Sequence, residues 1–302
     1  MKNEFINNSQ LLLLPLRQLK ELIKSSKPLV IPGVFDAIGA KIAQKAGFEA
    51  MFQTGYGTSA TLFGMPDYGF IGPAETVGNA RRICRAVSVP VIVDADTGYG
   101  NALSVWKLVK ELEDAGASGI FLEDQRWPKR CGHMQGKEVV RKEEYAEKLR
   151  AAIDARKSKD FIIVARTDAR ATEGLEKAIE RGLYYKKIGA DVIFVEAPKS
   201  IQEMKKIGKS IKAPLVANMI EGGATPISST KVLHEMGFKI ILYPLSVLFA
   251  NTYASLQILK ELKKSGTTTK LSKKLVSFNE FNDIVELSKF RKLEKRYGTI
   301  KK

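Results

Sequence analysis

Two aspartates that are separated by one residue, Asp94 and Asp96, follow a short β-branched segment, Val89–Val93, and precede Gly98 and Gly100. The apolar segment is typical of a strand that is buried on both faces. Because residues i and i+2 of a strand point the same way, the two carboxylates should converge, which is unfavourable unless a cation or a proton lies between them. Mg²⁺ prefers carboxylate oxygens and keeps several waters. The pattern therefore predicts a magnesium site, with a solvated acidic turn as the alternative.

Polar or glycine-flanked residues also follow nearly all of the remaining apolar segments of the chain. They are Asp36, Thr54, Glu123 with Asp124, Arg166 with Asp168, Glu196, Asn218, and Ser246 after Pro244. If the segments are parallel strands of one barrel, these residues share its C-terminal edge, where barrel enzymes have their active sites. A single polar residue after a strand is ordinarily solvated, whereas a ring of them predicts a functional site.

The chemistry of this ring fits a small polyanionic acid as ligand. Glu123 would add a further oxygen ligand for Mg²⁺, and Arg166 could hold a carboxylate through two parallel hydrogen bonds. The backbone amides of the segment Thr54-Gly55-Tyr56-Gly57 could bind a second carboxylate. Glu196 and Asn218 would orient hydroxyl or carboxylate groups. A metal ion beside such a ligand would stabilise an enolate.

Cys131 lies in a long polar segment, between Lys129-Arg130 and Gly132-His133. Its basic neighbours predict a lowered thiol pKa and a reactive sulfur. On a mobile lid, such a thiol can act as the acid that protonates a carbanion once water is excluded. The alternative is an exposed loop cysteine with incidental basic neighbours. Cys84, in a predicted helix, is expected to be an ordinary buried thiol.

The elements that must position these residues alternate regularly along the chain. Strands are predicted at residues 28–34, 49–53, 89–93, 119–122, 161–165, 192–195, 214–217 and 240–243. A helix follows each strand, a glycine-rich loop is expected over 55–72, and a first helix is predicted over Leu16–Ile23. Eight such units predict an α/β fold, a single (β/α)₈ barrel over residues 1–266. Residues 267–302 are predicted to form a linker and a helical extension, Phe278–Tyr297, that packs on the barrel or on a neighbouring subunit.

Composition excludes several classes of protein. The formal net charge of +16 is the best argument for a nucleic-acid partner, but the lysines are spread over predicted outer helices without interleaved aromatic residues. We therefore expect no specific nucleic-acid partner. We also expect no membrane span, because every apolar run is too short, and no secretory signal. Two cysteines far apart in sequence predict free thiols and a cytoplasmic protein.

Five short motifs together resemble those of one known superfamily. The motifs are Val-Asp-Ala-Asp-Thr-Gly-Tyr-Gly at 93–100, Leu-Glu-Asp-Gln at 122–125, Lys-Arg-Cys-Gly-His at 129–133, Ala-Arg-Thr-Asp-Ala at 165–169 and Gly-Gly-Ala-Thr-Pro at 222–226. They resemble the isocitrate lyase and phosphoenolpyruvate mutase superfamily and, over about residues 16–297, are most similar to the 2-methylisocitrate lyase branch. The cysteine motif resembles the lyases rather than the phosphonopyruvate-forming mutases. The resemblance implies a barrel with a swapped helix and a homotetramer.

The resemblance also implies roles for individual residues. It puts Mg²⁺, with Mn²⁺ as a possible substitute, near Asp94, Asp96 and Glu123, with Asp67 close by. Catalytic roles would fall to Cys131, Arg166 and Glu196. The substrate, a small di- or tricarboxylate, would be bound by Thr54, Gly55, Tyr56, Gly132, His133, Asn218, Thr225, Pro244 and Ser246.

The reaction that the resemblance implies is a reverse aldol-type cleavage. The 2-hydroxyl group loses its proton, the C2–C3 bond breaks to release pyruvate, and the carbanion takes a proton from Cys131. With 2-methylisocitrate the second product would be succinate.

Three positions depart from the pattern of the 2-methylisocitrate lyases. Thr54-Gly55 replaces a Ser-Gly turn, Phe52 replaces a tyrosine, and Phe249 stands where an arginine is common. A missing cation would weaken the binding of a third carboxylate. The alternatives are therefore a 2,3-dimethylmalate (2-alkylmalate) lyase, a carboxyphosphonoenolpyruvate mutase and an oxaloacetate-cleaving relative.

Overall fold

Eight parallel strands close into a barrel in the computed structural model, which describes Pro15 and residues 18–298. The strands are β1 (Leu29–Val34), β2 (Met51–Gln53), β3 (Val91–Asp94), β4 (Gly119–Glu123), β5 (Ile162–Thr167), β6 (Val192–Val195), β7 (Leu215–Asn218) and β8 (Phe238–Tyr243). Each strand pairs with the next, and β8 pairs with β1. The prediction of a (β/α)₈ barrel is confirmed.

Helices cover the outside of the barrel. They are α1 (residues 18–24), α2 (Ala37–Lys45), α3 (Gly55–Phe63), α4 (Pro73–Ala86), α5 (Ala102–Ala115), α6 (Lys142–Ala155), α7 (Ala169–Thr172), α8 (Leu175–Ile188), α9 (Ile201–Ser210), α10 (Thr230–Glu235), α11 (Ser246–Ser265), α12 (Phe278–Ile284) and α13 (Leu287–Tyr297), with a 3₁₀ helix at Thr269–Lys274. Leu16, the predicted first residue of α1, lies outside the described residues. No helix in the described ranges combines the length and the apolar character that a membrane crossing needs.

The segment that was predicted to be a glycine-rich loop begins with a helix, α3, so this prediction is wrong for residues 55–63. The Thr54 side chain caps its N-terminus by accepting a hydrogen bond from the Gly57 amide, and Gly64 ends it in the left-handed conformation with φ 65°. A Cβ atom on Gly57 would lie 2.9 Å from the Phe35 Cβ. Glycine is thus needed here for close packing rather than for a turn.

The apolar core has two layers, one inside the barrel and one between the barrel and its helices. Leu19 and Ile23 of α1 belong to the same cluster as the interior residues Leu29 and Ile31, so α1 covers the N-terminal end of the barrel. Towards the other end, three interior rings follow one another: Phe52 and Phe121 at 4.7 Å, then Phe121 and Phe194 at 5.7 Å between centroids. Polar side chains can therefore gather only above these rings.

The C-terminal helices make few contacts with the barrel. No residue of α11 is buried, and Tyr253, Leu256 and Leu259 are largely exposed. Helices α12 and α13 lie beside α2, where Glu286 forms an ion pair with Lys41. The division at residue 266 and the exchange of the extension between subunits stay predictions.

Replacing Gly33 in β1 by alanine should lower the free energy of unfolding by about 1–3 kcal/mol. An added Cβ would overlap the carbonyl group of Pro244, which is backbone and cannot rotate away. The control is Gly78→Ala in α4, where the added atom meets only Arg82 at 3.9 Å and should stabilise the helix by about 0.5–1 kcal/mol. Urea unfolding measures both variants, and equal free energies would contradict the packing described.

Candidate active site

The two aspartates after β3 do converge. A Cβ atom on Gly55 would lie 2.8 Å from Asp94 Oδ2 and 3.4 Å from Asp96 Oδ1, so both carboxylates face the same point on α3. Asp94 accepts a hydrogen bond from the Gly55 amide at 3.2 Å, and the left-handed backbone of Asp96 (φ 46°) turns its side chain inward. Asp67 and Glu123 complete an acidic cluster, which we define as Asp67, Asp94, Asp96 and Glu123.

Lys129, which the sequence analysis did not assign to the site, lies among these four carboxylates. Its ammonium nitrogen lies 2.6 Å from Asp67 Oδ1 and 2.6 Å from Asp96 Oδ1, and its side chain is only 2% exposed. Burial would lower its pKa, but the surrounding carboxylates outweigh burial and hold the pKa of Lys129 well above its usual value. The sequence signal was its place two residues before Cys131, which we interpreted as activation of the thiol.

The cluster fits a divalent cation because it holds more negative than positive charge. Burial raises the pKa of Asp96 to about 7, against the opposing effect of Lys129, and burial also raises the pKa of Glu123. Both Glu123 carboxylate oxygens are buried without a well-oriented hydrogen-bond donor. Within the described residues, no three His, Cys, Asp or Glu side chains are already arranged around a metal position. The oxygen donors of the cluster suit a hard cation such as Mg²⁺, which prefers carboxylate ligands.

Arg166, at the end of β5, pairs with a carboxylate of the protein, whereas the prediction left its guanidinium free for a ligand. Its guanidinium forms a two-pronged pair with Asp168, at 2.8 Å and 3.1 Å, and lies 3.2 Å from Glu123 Oε2. The expected fork is therefore made to a protein carboxylate, and a ligand can reach only the remaining N–H groups. Asp168 thus fixes the arginine that faces the cavity.

Glu196, at the end of β6, links strands β5, β6 and β7 to the loop that carries Cys131. His133 Nε2 lies 2.9 Å from Glu196 Oε1, and Asn218 Nδ2 donates to the same carboxylate at 3.3–3.4 Å. Burial opposes ionisation, but Arg166 and then His133 outweigh it and hold the pKa of Glu196 at about 2. His133 Nδ1 accepts from the Ala224 amide at 2.8 Å, so the Nε2 proton faces Glu196. This carboxylate is a fixed negative charge.

A small cavity that opens to solvent lies above the aromatic rings. The predicted residues that line it are Thr54, Tyr56, Asp67, Asp94, Cys131, Gly132, His133, Arg166, Glu196, Asn218 and Pro244. The residues that sequence reasoning did not assign to it are Phe52, Phe121, Phe194, Ile220, Leu242 and Leu245. The sequence analysis names Phe52 only as a departure from the 2-methylisocitrate lyases, and the other five are indistinguishable in sequence from core positions. The lining thus combines charged and apolar side chains.

Several predicted positions lie elsewhere. Gly55, Asp96 and Glu123 are not part of the lining, Thr225 is buried outside it, and Ser246 forms a hydrogen bond with Glu221. In the Thr54–Gly57 segment, the Gly55 and Gly57 amides already donate to protein oxygens, which leaves fewer amides for a ligand than predicted.

Phe249, which served as an indicator of the substrate, does not line the cavity. Its side chain belongs to α11 and is 41% exposed. The cavity residues that precede this helix are Pro244 and Leu245. The inference from Phe249 to the shape of the pocket is therefore not supported within this chain.

The prediction that Cys131 has a lowered pKa is wrong. Burial raises the pKa of the thiol to about 11, and Asp67 raises it further, whereas Lys129 and Arg166 oppose this only weakly. The neighbouring Arg130 turns away and donates to the Gln135 carbonyl. The thiol therefore keeps its proton at neutral pH, which suits a proton donor better than a nucleophile.

Alkylation of Cys131 by iodoacetamide should accelerate about tenfold for each pH unit between pH 7 and pH 9. Below its pKa, a thiol gains a tenfold larger thiolate fraction with every unit, and the folded pKa is about 11. Mass spectrometry of the Cys131 peptide measures the rate. A rate that levels off below pH 8 would indicate a lowered pKa and contradict the protonated thiol.

Comparison with known proteins agrees with this geometry. A family model described as phosphoenolpyruvate phosphomutase matches residues 19–263. The chain is 46% identical to 2,3-dimethylmalate lyase of Eubacterium barkeri, over 93% of this chain and 98% of that protein. It is 48% identical to the chloroplastic carboxyvinyl-carboxyphosphonate phosphorylmutase of Arabidopsis thaliana (93% and 84%). It is 43% identical to 2-methylisocitrate lyase of Aeropyrum pernix (91% and 88%).

Solved structures give the same result. The crystal structure of a 2,3-dimethylmalate lyase superposes with a TM-score of 0.89 at 34% identity, covering 94% of this chain and 95% of that one. A phosphonopyruvate hydrolase in complex with oxalate and Mg²⁺ superposes with a TM-score of 0.85 at 30% identity, covering 94% and 99%.

Proposed function

The chain belongs to the phosphoenolpyruvate phosphomutase family and is a carbon–carbon lyase of its superfamily, and we propose that it cleaves a 2-alkylated malate to pyruvate and a short carboxylic acid. For 2,3-dimethylmalate the products would be pyruvate and propionate. The observation that carries this choice of substrate is the distribution of charge around the cavity.

Among the described side chains that line the cavity, Arg166 carries the one permanent positive charge. The lining also contains Phe52, Ile220, Leu242 and Leu245, which suit the methyl groups of an alkylated malate. A third carboxylate would find no second permanent cation in this lining, and burying it without a partner would cost several kcal/mol. The lining thus favours a dicarboxylate, which reverses the order of substrates expected from sequence.

A divalent cation, Mg²⁺ with Mn²⁺ as a substitute, is part of the proposal. Asp94, Asp96, Glu123 and Asp67 would hold it, directly or through water. When bound, the cation would stabilise the negative charge that develops on the substrate oxygens. The Mg²⁺ named in the structure of the phosphonopyruvate hydrolase supports this assignment.

The protein's own groups would act on the two ends of the breaking bond. Arg166 and the Tyr56 amide of α3 bind the carboxylates, while Glu196 and Asn218 orient the ligand. The 2-hydroxyl group would pass its proton to a carboxylate of the acidic cluster and become the carbonyl group of pyruvate. The C2–C3 electron pair would pass to C3, and the thiol of Cys131 would deliver its proton there. The loop that carries Cys131 covers the cavity and keeps water from the carbanion.

2-Methylisocitrate is the second candidate. It is favoured by the 43% identity to the Aeropyrum pernix protein, whose name states that activity. Its products would be pyruvate and succinate.

Pyruvate formation with the two substrates tests the proposal. With Mg²⁺, kcat/KM for 2,3-dimethylmalate should exceed that for 2-methylisocitrate by about tenfold or more, because the third carboxylate has no cationic partner. A chelator should abolish both activities. A lactate dehydrogenase-coupled assay measures the rate. Faster turnover of 2-methylisocitrate would establish the second candidate, and no pyruvate from either would contradict a lyase for these acids.

The Cys131→Ser variant tests the role of the thiol in the same assay. Serine keeps the volume of the side chain but is a much weaker acid, so turnover should fall by about 100-fold or more while KM changes little. Full turnover in this variant would remove Cys131 from the proposed mechanism.

We also propose that the protein is a homotetramer whose subunits exchange their C-terminal segments. The supporting observation is α11, whose apolar residues Tyr253, Leu256 and Leu259 have no cover within the described part of the chain. Sedimentation equilibrium should give about four times the chain mass, and a stable monomer would contradict the exchange.

A further inference from the structure

We infer that Lys137 is a positioning residue that holds the loop carrying Cys131 closed over the cavity. We define the lid as residues 126–138, between β4 and α6. Its base is closed by the bridge between Gln125 and Val139 and by the hydrogen bond from the Arg126 amide to the Glu138 carbonyl at 2.8 Å. The inference rests on the proposed function, in which the lid brings the Cys131 thiol to the substrate.

The contact that holds the lid runs through one buried ammonium group. Lys137 Nζ donates to the carbonyl of Gly132, the residue after Cys131, and lies 3.5 Å from Asp168 Oδ1. The Lys137 side chain is 2% exposed and that of Asp168 is fully buried. A hydrogen bond from a charged donor in such surroundings is stronger than a neutral one. Opening the lid would separate this ammonium group from the Asp168 carboxylate and leave a buried charge without its partner, which is costly.

Asp168 is a rigid anchor for this contact. Its amide donates to Asp124 Oδ1 at 2.9 Å, and Asp124 in turn accepts from Arg181 at 3.1 Å and from Tyr185 at 2.8 Å. All of these groups are buried in the wall of the barrel. The lid is therefore tied to a fixed part of the fold rather than to another loop.

The same aspartate fixes the substrate-facing arginine. Asp168 holds Arg166 in a two-pronged pair, while Gly132 packs so closely that a Cβ on it would lie 2.5 Å from Arg166 Nη2 and 2.5 Å from Glu196 Cγ. Lys137 thus holds the lid backbone at Gly132 in contact with the Arg166 guanidinium, which the closed lid covers. A displaced lid would move both the acid and one wall of the cavity.

Lys137 differs from the other polar side chains that hold the lid. Lys129 contacts the acidic cluster, and His133 lines the cavity and contacts Glu196. Substituting either would alter ligand binding directly. Lys137 lies outside the cavity lining, so substituting it separates the position of the lid from contact with the ligand.

The reactivity of the Cys131 thiol in the absence of substrate measures this role. In Lys137→Met, iodoacetamide at pH 8 should alkylate Cys131 about tenfold faster or more than in the unchanged protein, because the ammonium group no longer joins the Gly132 carbonyl to the Asp168 carboxylate of the barrel. Lys137→Arg keeps the charge and should give an intermediate rate. Lys177→Met, which removes an exposed lysine paired with Glu180, should leave the rate unchanged.

Cys84 is the internal control. It is a buried thiol of α4, whose pKa burial raises to about 12, and its peptide is counted in the same spectra. If Lys137→Met accelerates Cys131 alone, the role in the lid is supported. Alkylation of Cys131 within twofold of the unchanged protein, or a parallel rise at Cys84, would overturn it. Because no substrate is present, this outcome is independent of whether the proposed acids are cleaved.

Discussion

The structure of the active site depends on the charge balance between four carboxylates and one ammonium group. Asp67, Asp94, Asp96 and Glu123 all interact with Lys129, which is buried among them. Carboxylates at the end of a barrel are removed from water, and without an opposing charge they would take up protons. Burial raises the pKa of Asp96 and Glu123 even in the presence of Lys129. The cluster therefore requires positive charge, and its chemistry follows from how that charge is supplied.

Because the ammonium comes from the lid, the charge balance also positions Cys131. Lys129 precedes Cys131 by two residues, and the Cys131 amide donates to the Asp67 carbonyl at 3.2 Å. The proposed divalent cation would compensate the same carboxylates as the Lys129 ammonium, so its binding would act on the position of the lid through Coulomb interactions. The same closure that buries Lys129 removes Cys131 from water and keeps its thiol protonated.

A second set of buried charges supports the first. Asp124 is fixed by Arg181 and Tyr185, and its contact with the Asp168 amide places the carboxylate that holds Arg166. These pairs contribute geometry more than net stability, since the desolvation of each charge offsets much of the attraction. Arg166 gains a fixed orientation towards the cavity, and the remaining freedom of the site lies in the lid.

The sequence by itself determined the barrel, the convergence of Asp94 and Asp96, and the presence of Arg166, Glu196, Asn218 and Cys131 at one edge. Strand periodicity and the parallel arrangement dictate these features, and both are local properties of the chain. Tertiary structure alone decided that Arg166 pairs with Asp168, that Lys129 enters the acidic cluster, that Phe249 lies outside the cavity, and that the pKa of Cys131 is raised. Each of these depends on burial or on distances between residues far apart in sequence, and desolvation acts on a charge with a strength that neighbours in sequence do not predict.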